Sequence, residues 1–230
     1  MNQVYLALDT SGTRTALALV KNNKEVYELT ATAPYGHNEN LLDLIKEAFM
    51  QTGLTLKDLT AICLAIGPGM FTSLRVGLSV AKGLALTGKL PLKGVSTLYA
   101  LAVTAGAEIQ PVLTLIDARR QELYAGLYYQ GNTLIKPMVI SPEELPTLLT
   151  RTDLPETALR IAGDGVTIAR SFLSQSGHTL EYTGLIHLAP VVIARIAQKL
   201  LTTAGPDDLP TIEPVYLRRT DAELKRQLNA

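Results

Sequence analysis

The stretch AIGPGMFTSLRVGLSVAKGLAL, residues 65–86, decides the fold of this 230-residue chain. It begins at the end of an apolar run, turns at Gly67-Pro68-Gly69, and continues with helical periodicity and very little charge. A buried strand, a glycine turn and a helix in this order are typical of an α/β unit with a covered sheet. The spacing predicts a helix over 72–86.

The predicted helix is apolar almost all round, whereas a surface helix has one apolar stripe and a broad polar face. Small residues recur every four positions along one side, and bulky ones form a second stripe. A sheet covers only one side, so we expect the other side to bind a partner together with a helix predicted over 38–52. The alternative is that these two helices simply pack on each other. The residues predicted for the partner surface are Leu41, Leu44, Ile45, Ala48, Ser73, Gly77, Val80, Ala81, Leu84 and Ala85.

The same order of elements occurs twice along the chain. Asp9 and Asp117 each end the first apolar run of a copy, and Gly67 and Gly163 each open a glycine turn before a helix. We interpret this as a duplicated β-β-β-α-β-α unit of the α/β class. The first lobe is predicted at 1–106 and the second at 107–230, with 88–106 as the join. Residues 215–217 have the pattern of a strand.

Composition excludes several classes of protein. The chain has 21 Lys and Arg and 21 Asp and Glu, so it has no net charge with which to attract nucleic acid or an anionic membrane. The one basic cluster is Arg218, Arg219, Lys225 and Arg226. The single cysteine, Cys63, lies in an apolar run, which favours a buried side chain in a reducing compartment. With no signal pattern and no membrane-length apolar window, we expect a cytoplasmic protein with no membrane contact.

The glycine turn itself has two interpretations. Its backbone N–H groups and the helix that follows could receive a phosphate, or Gly67-Pro68-Gly69 could be a tight turn of purely structural role. No Gly-Lys-Ser/Thr follows, which excludes a P-loop, and no third glycine occurs at Thr72, which excludes the dinucleotide fingerprint.

The two strand-ending aspartates are the second candidate for chemistry. Two carboxylates facing one cleft could hold a hydrated divalent cation and nucleotide phosphates, although Asp is also common at the start of turns. The first loop is small enough for phosphate, whereas Arg119 and Arg120 make the second one bulky. We therefore interpret both loops as vestigial phosphate loops, with a small-molecule kinase or ATPase as the alternative function. The loop residues are Asp9, Thr10, Ser11, Gly12 and Asp117.

Other catalytic patterns are missing from the sequence. His37, His178 and His187 have neither His-x-x-x-His nor His-Glu-x-x-His spacing, so we expect no metal site and no bound cofactor. No Gly-x-Ser-x-Gly occurs, which removes the nucleophile elbow of hydrolases. We expect no catalytic residue and no peptidase activity in this chain.

Five segments resemble the TsaB (YeaZ) family over the whole length of the chain. They are ALDTSG at 7–12, AIGPGMFTSLRVGLSVAKGLA at 65–85, GVSTLYALA at 94–102, DARRQELYAGLY at 117–128 and PVYLRR at 214–219. The resemblance implies an actin-like ATPase (ASKHA) fold of two RNase-H-like lobes. It also implies a non-catalytic subunit of the machinery that makes N6-threonylcarbamoyladenosine at position 37 of tRNAs that read codons starting with A.

The resemblance implies partners as well. The family pairs with the catalytic subunit TsaD through helices like 38–52 and 72–86, and the ATPase TsaE joins that pair. TsaD carries a His-x-x-x-His metal pair whose equivalents here are Thr97 and Leu101, which implies lost catalysis. One departure is Ser73, where the family block usually has glycine. We expect tRNA to be reached only through the complex, and a homodimer when the chain is alone.

Overall fold

The computed structural model describes residues 3–32 and 41–218. The first half contains β1 (Val4–Asp9), β2 (Arg14–Lys21), β3 (Lys24–Thr32), α1 (Leu41–Thr52), β4 (Ala61–Gly67), α2 (Phe71–Gly88), β5 (Leu92–Ser96) and α3 (Thr97–Thr104). The second half contains β6 (Val112–Arg119), β7 (Glu122–Tyr129), β8 (Asn132–Ile140), α4 (Leu145–Thr150), β9 (Leu159–Ala162), α5 (Val166–Leu173), β10 (Leu180–Tyr182) and α6 (Pro190–Ala204). Short 3₁₀ turns lie at Leu56–Asp58 and Pro142–Glu144.

Two five-stranded sheets repeat one topology. Their orders are β3-β2-β1-β4-β5 and β10-β9-β6-β7-β8. In chain order, the first three strands of each sheet pair antiparallel with one another, and the fourth and fifth are added by parallel pairing. This duplication confirms the predicted actin-like α/β fold. The repeated unit is longer than predicted, however, because each copy adds a fifth strand and a further helix.

The predicted join at 88–106 is wrong. Most of it forms β5 and α3, which belong to the first lobe. The small residues there do not mark a linker. Ala100 and Ala102 are fully buried because α3 packs between the first lobe and strands β6 and β7 of the second.

One apolar cluster joins the two lobes. It contains Ala7 and Cys63 from the first sheet, Val112 and Tyr128 from the second, and Ile193 from α6. Helix α6 contacts β1, β2, β4 and β5, so the last helix of the second half covers the first sheet. The sequence boundary at 106/107 therefore separates the sheets but not the helices. Strands β1 and β4 carry near-continuous apolar runs because helices cover both faces of this sheet.

Residues 215–217, predicted as a strand, form no strand. Val215 N donates one hydrogen bond to the Ile66 carbonyl at 2.7 Å. Pro214 has no N–H to extend a ladder from there. The segment that precedes them packs on the first lobe, where Ile212 is buried against its core. None of the described helices is both long and apolar enough to span a membrane.

Candidate functional site

The small-residue face of α2 is not a free surface, which corrects the predicted partner contact. Thr10 Oγ1 donates to the Ser73 carbonyl at 2.9 Å, and a Cβ on Gly77 would collide with the same Oγ1. Ala81 and Ala85 are fully buried in the core of the first lobe. Ser73 and Gly77 thus pack against Thr10, just after β1, and Ala81 and Ala85 pack in the core, so this face of α2 is covered within the chain itself.

Most of the α1 residues predicted for the partner surface are buried too. Leu41, Ile45 and Ala48 lie in the core of the first lobe, and α1 contacts α2, as the alternative interpretation had it. Of the predicted set, only Leu44, Val80 and Leu84 are half-buried. The stripe that identified the helix is therefore the stripe that packs it on the sheet.

An exposed apolar groove lies beside this stripe. Leu42 is 58% exposed and Met50 is 74% exposed. The groove is an open depression of about 510 Å³, and among the residues that the structure describes Lys46 is the one charged residue lining it. Its lining, called the α1 groove below, consists of Leu42, Ile45, Lys46, Phe49, Met50, Gly53, Leu54, Thr55 and Leu84. Sequence reasoning missed Leu42, Phe49 and Met50. The available signal was that they are apolar yet lie off the core stripe.

In the loop after β1, the Asp9 carboxyl is hydrogen-bonded by a residue of the same loop. Asp9 Oδ1 accepts hydrogen bonds from Ser11 N at 2.9 Å and from Ser11 Oγ at 2.6 Å. Burial raises the pKa of the Asp9 carboxyl, and the Ser11 hydrogen bonds, Arg14 and His187 oppose this to a lesser extent. The carboxyl group is therefore held by its own loop.

Asp117 lies in the opposite lobe and is engaged in the same way. Its carboxylate accepts from Arg119 N at 2.7 Å and from Arg119 Nη1 at 3.1 Å. Its backbone N–H donates to Asp164 Oδ1 at 2.9 Å. The structure brings the two predicted loops to one cleft, where Ser11, Gly12 and Asp117 line a cavity of about 200 Å³. This cavity is therefore smaller than typical small-molecule sites, which enclose about 300–1,000 Å³.

The glycine turn packs against the first loop. Met70 N donates to the Ser11 carbonyl at 2.8 Å, and a Cβ on Gly69 would collide with that carbonyl. Gly67 has φ +116°, and a Cβ there would lie 2.7 Å from the Val215 carbonyl oxygen. Glycine is required at both positions by backbone packing, which accounts for the turn without a ligand.

The floor of the cleft contains Thr97 and Leu101. With Asp9, Asp164 and His187 they line a cavity of about 30 Å³. Thr97 Oγ1 accepts from Gly67 N at 3.1 Å, and Leu101 is buried in the shared core. Among residues 3–32 and 41–218, no group of three His, Cys, Asp or Glu side chains could hold a metal ion.

His187 is a cleft residue that sequence reasoning did not place. Burial lowers the pKa of its imidazole, and Arg14 lowers it further, while Asp9 and Asp164 oppose the shift. No spacing in the sequence links these residues, since Asp9 and Arg14 are more than 140 positions away from Asp164 and His187 in the chain. His37 lies outside the described residues.

Only one member of the basic C-terminal cluster is described. Arg218 Nη1 lies 3.1 Å from Glu122 Oε2 and donates to the Ala118 carbonyl at 3.2 Å. This guanidinium is therefore engaged with the second lobe. Arg219, Lys225 and Arg226 lie outside the described residues.

A family model described as TsaD, tRNA N6-adenosine threonylcarbamoyltransferase, matches residues 30–225. The tRNA threonylcarbamoyladenosine biosynthesis protein TsaB of Escherichia coli (strain K12) is 29% identical over 225 residues, covering 94% of this chain and 95% of that one. The chain belongs to this family, in its TsaB (YeaZ) branch.

Two further TsaB relatives agree with this assignment. TsaB of Buchnera aphidicola subsp. Schizaphis graminum is 34% identical over 137 residues, covering 59% of this chain and 65% of that one. The structure of YeaZ from Pseudomonas aeruginosa superposes with a TM-score of 0.77 at 26% identity, covering 94% of this chain and all of that one (100%). The two-lobed TsaB fold is thus present along nearly the whole chain.

Proposed function

We propose that this chain is a non-catalytic subunit that binds and activates a TsaD-like enzyme. The product is N6-threonylcarbamoyladenosine at position 37 of tRNAs that read codons starting with A. The observation that carries the proposal is the α1 groove, in which Leu42 and Met50 stay exposed beside a well-packed core. Support for the pathway comes from TsaB relatives named for tRNA threonylcarbamoyladenosine biosynthesis.

The α1 groove has the chemistry of a protein-binding surface. Contiguous exposed apolar surface on one helix is typical of a site that another helix covers. Leu42, Phe49 and Met50 lie on one face of α1, at positions i, i+7 and i+8, and Leu84 extends the groove onto α2. The contact therefore still uses α1 and α2, as the family resemblance implies, but through different residues from those in the core stripe.

The cleft supports the non-catalytic half of the proposal. Thr97 and Leu101 occupy the positions that the resemblance equates with the histidine pair of TsaD, and neither side chain can replace imidazole as a metal ligand. The carboxylates of Asp9 and Asp117 accept hydrogen bonds from their own loops. A catalytic role would require at least one of these groups to face a substrate.

The remaining partners follow from the same assignment. We propose that a TsaE-like ATPase joins the pair, that tRNA is bound only through the complex, and that the assembly works in the cytoplasm. Without its partner, the chain forms a homodimer that covers the α1 groove. Burial of exposed apolar area favours such self-association.

The docking test compares two substitutions that place the same charge on equally exposed apolar residues. Met50→Glu lies in the α1 groove at 74% exposure, and Ile109→Glu lies outside it at 73% exposure. Met50→Glu would bury a carboxylate in an apolar contact, and Lys46 one turn earlier would offset that cost only in part, so binding to the TsaD-like subunit measured by calorimetry should weaken by about 100-fold. Ile109→Glu should bind like the unmodified chain. Equal affinity of all three proteins would refute the groove as the docking site.

A second candidate function is a small-molecule kinase or ATPase. One observation favours it, namely that the loops of Asp9 and Asp117 meet at one cavity. Calorimetry of the isolated chain with magnesium and ATP distinguishes the two functions. The subunit proposal predicts no turnover, whereas tight binding with turnover would favour the enzyme.

A further inference from the structure

Residues 207–218, called the strap below, run from the first lobe to the second. The strap begins at the outer edge of β5, where Asp207 N donates to the Leu92 carbonyl at 2.9 Å. The Asp207 carboxylate accepts from Gly94 N at 2.7 Å and from Lys93 Nζ at 2.6 Å. The strap is therefore fixed to the first sheet by both backbone and charge.

Close to its C-terminal end, the strap contacts the first turns of α2 through Tyr216. Arg75 Nε donates to the Tyr216 hydroxyl at 2.9 Å, and the guanidinium carbon lies 4.0 Å from the centre of the Phe71 ring. The rings of Phe71 and Tyr216 lie 4.9 Å apart, in the range of favourable aromatic pairs. Arg75 and Phe71 of α2 thus hold the Tyr216 side chain.

The end of the strap reaches the second lobe. Leu217 packs on the apolar cluster that joins the lobes. Arg218, the next residue, contacts Glu122 and the Ala118 carbonyl at the β6–β7 turn. Ala118 and Phe71 both line the cavity between the lobes, so the strap crosses at the mouth of the cleft.

We propose that the strap couples helix α2 to the angle between the two lobes. The shared core joins the lobes at the cleft floor, Arg14 adds a hydrogen bond to the Leu188 carbonyl, and the strap connects the lobes at the cleft mouth. Movement of Arg75 displaces Tyr216, and with it Arg218, which is two residues later in the chain. This changes the contact between Arg218 and Glu122. This coupling does not depend on the proposed function, because every contact in it is intramolecular.

The test measures the distance between the lobes by pulsed electron paramagnetic resonance. Spin labels at K57C and T147C lie at exposed positions of the first and second lobe, and Cys63 is buried away from the label. Arg75→Ala and Arg218→Ala should each broaden the distance distribution and shift it to longer distances. Their combination should add nothing to either alone, because both act on one chain of contacts. Arg151→Ala removes an exposed arginine of the second lobe and should leave the distribution unchanged.

Arg75→Ala decides between coupling and a mere clamp. The described side chains that the Arg75 guanidinium contacts are Phe71 and Tyr216, so Arg75→Ala can act on the lobe distance through the strap or through Phe71 at the cleft, and Tyr216→Phe tests the strap alone. Tyr216→Phe removes only the hydroxyl that accepts from Arg75 and provides a milder, well-folded version of the same test. A distribution that broadens for Arg218→Ala but not for Arg75→Ala or Tyr216→Phe would overturn the coupling. If no variant changed the distribution, the claim that the strap helps to fix the distance between the lobes would be overturned as well.

Discussion

Two glycines of α2 differ in whether their surroundings leave room for a side chain. Gly77 faces Thr10, where a Cβ has no room, whereas a Cβ on Gly83 would meet nothing within 4 Å. The sequence gives both the same helical context. Their different roles depend on how α2 is rotated against β1, which requires the packed structure.

Gly77→Ala should destabilise the fold, because Thr10 must move and lose its hydrogen bond to the Ser73 carbonyl. We expect the free energy of unfolding to fall by about 1–3 kcal/mol, as in other overpacked cores. Gly83→Ala should raise it by up to about 1 kcal/mol, through helix propensity alone. Urea unfolding measures both. Equal effects of the two substitutions would contradict the packing described for this face.

The buried Asp9 carboxyl should give stability a defined pH dependence. Its pKa is raised in the folded chain by burial, so above the unfolded pKa of about 3.9 the native state holds this proton more tightly than the unfolded state does. Stability should therefore fall as pH rises from about 4 through the folded pKa. In Asp9→Asn, which keeps an acceptor for Ser11, that loss should be missing. Parallel stability curves for both proteins across this range would contradict the assignment.

Elements were easier to predict than their contacts. Periodicity placed α2 and four of the five strands of each repeat, because a buried sheet and a packed helix impose their spacing on the sequence. It failed at β5 and α3, since small apolar residues occur both in linkers and in tightly packed helices. It also assigned the wrong surface of α2, because a smooth face does not say whether a sheet or another chain approaches it.

At the scale of one element, the ion pair at the edge of β5 can be tested for its contribution to stability. Lys93 has a side chain only 9% exposed, and Asp207, 26% exposed, is its partner. Removing one partner of a fully buried pair costs about 3–5 kcal/mol, so with this partial exposure we expect Asp207→Ala to cost about 2 kcal/mol. Glu108→Ala breaks the exposed pair with Lys199 and should have no measurable effect. Thermal unfolding that ranks the two variants the other way would contradict this role of Asp207.

At the scale of the whole molecule, the shared core and the strap make one body of two lobes. The cleft between them has its carboxylates engaged and its floor filled by Thr97 and Leu101. The α1 groove, where Leu42 and Met50 are exposed, shares no lining residue with the cleft cavities. The sequence predicted the duplication, because each copy repeats the same order of apolar runs and turns. The α1 groove could not be predicted, because it depends on which residues the first sheet leaves uncovered.

The most direct test is formation of N6-threonylcarbamoyladenosine on tRNA by the reconstituted complex, measured by mass spectrometry of the released nucleosides. Three versions of this chain are compared, each with the same TsaD-like and TsaE-like proteins. We predict that Met50→Glu abolishes the product, while Asp9→Asn and Ile109→Glu retain it. Loss of product with Asp9→Asn and full activity with Met50→Glu would place the function in the cleft and contradict the account.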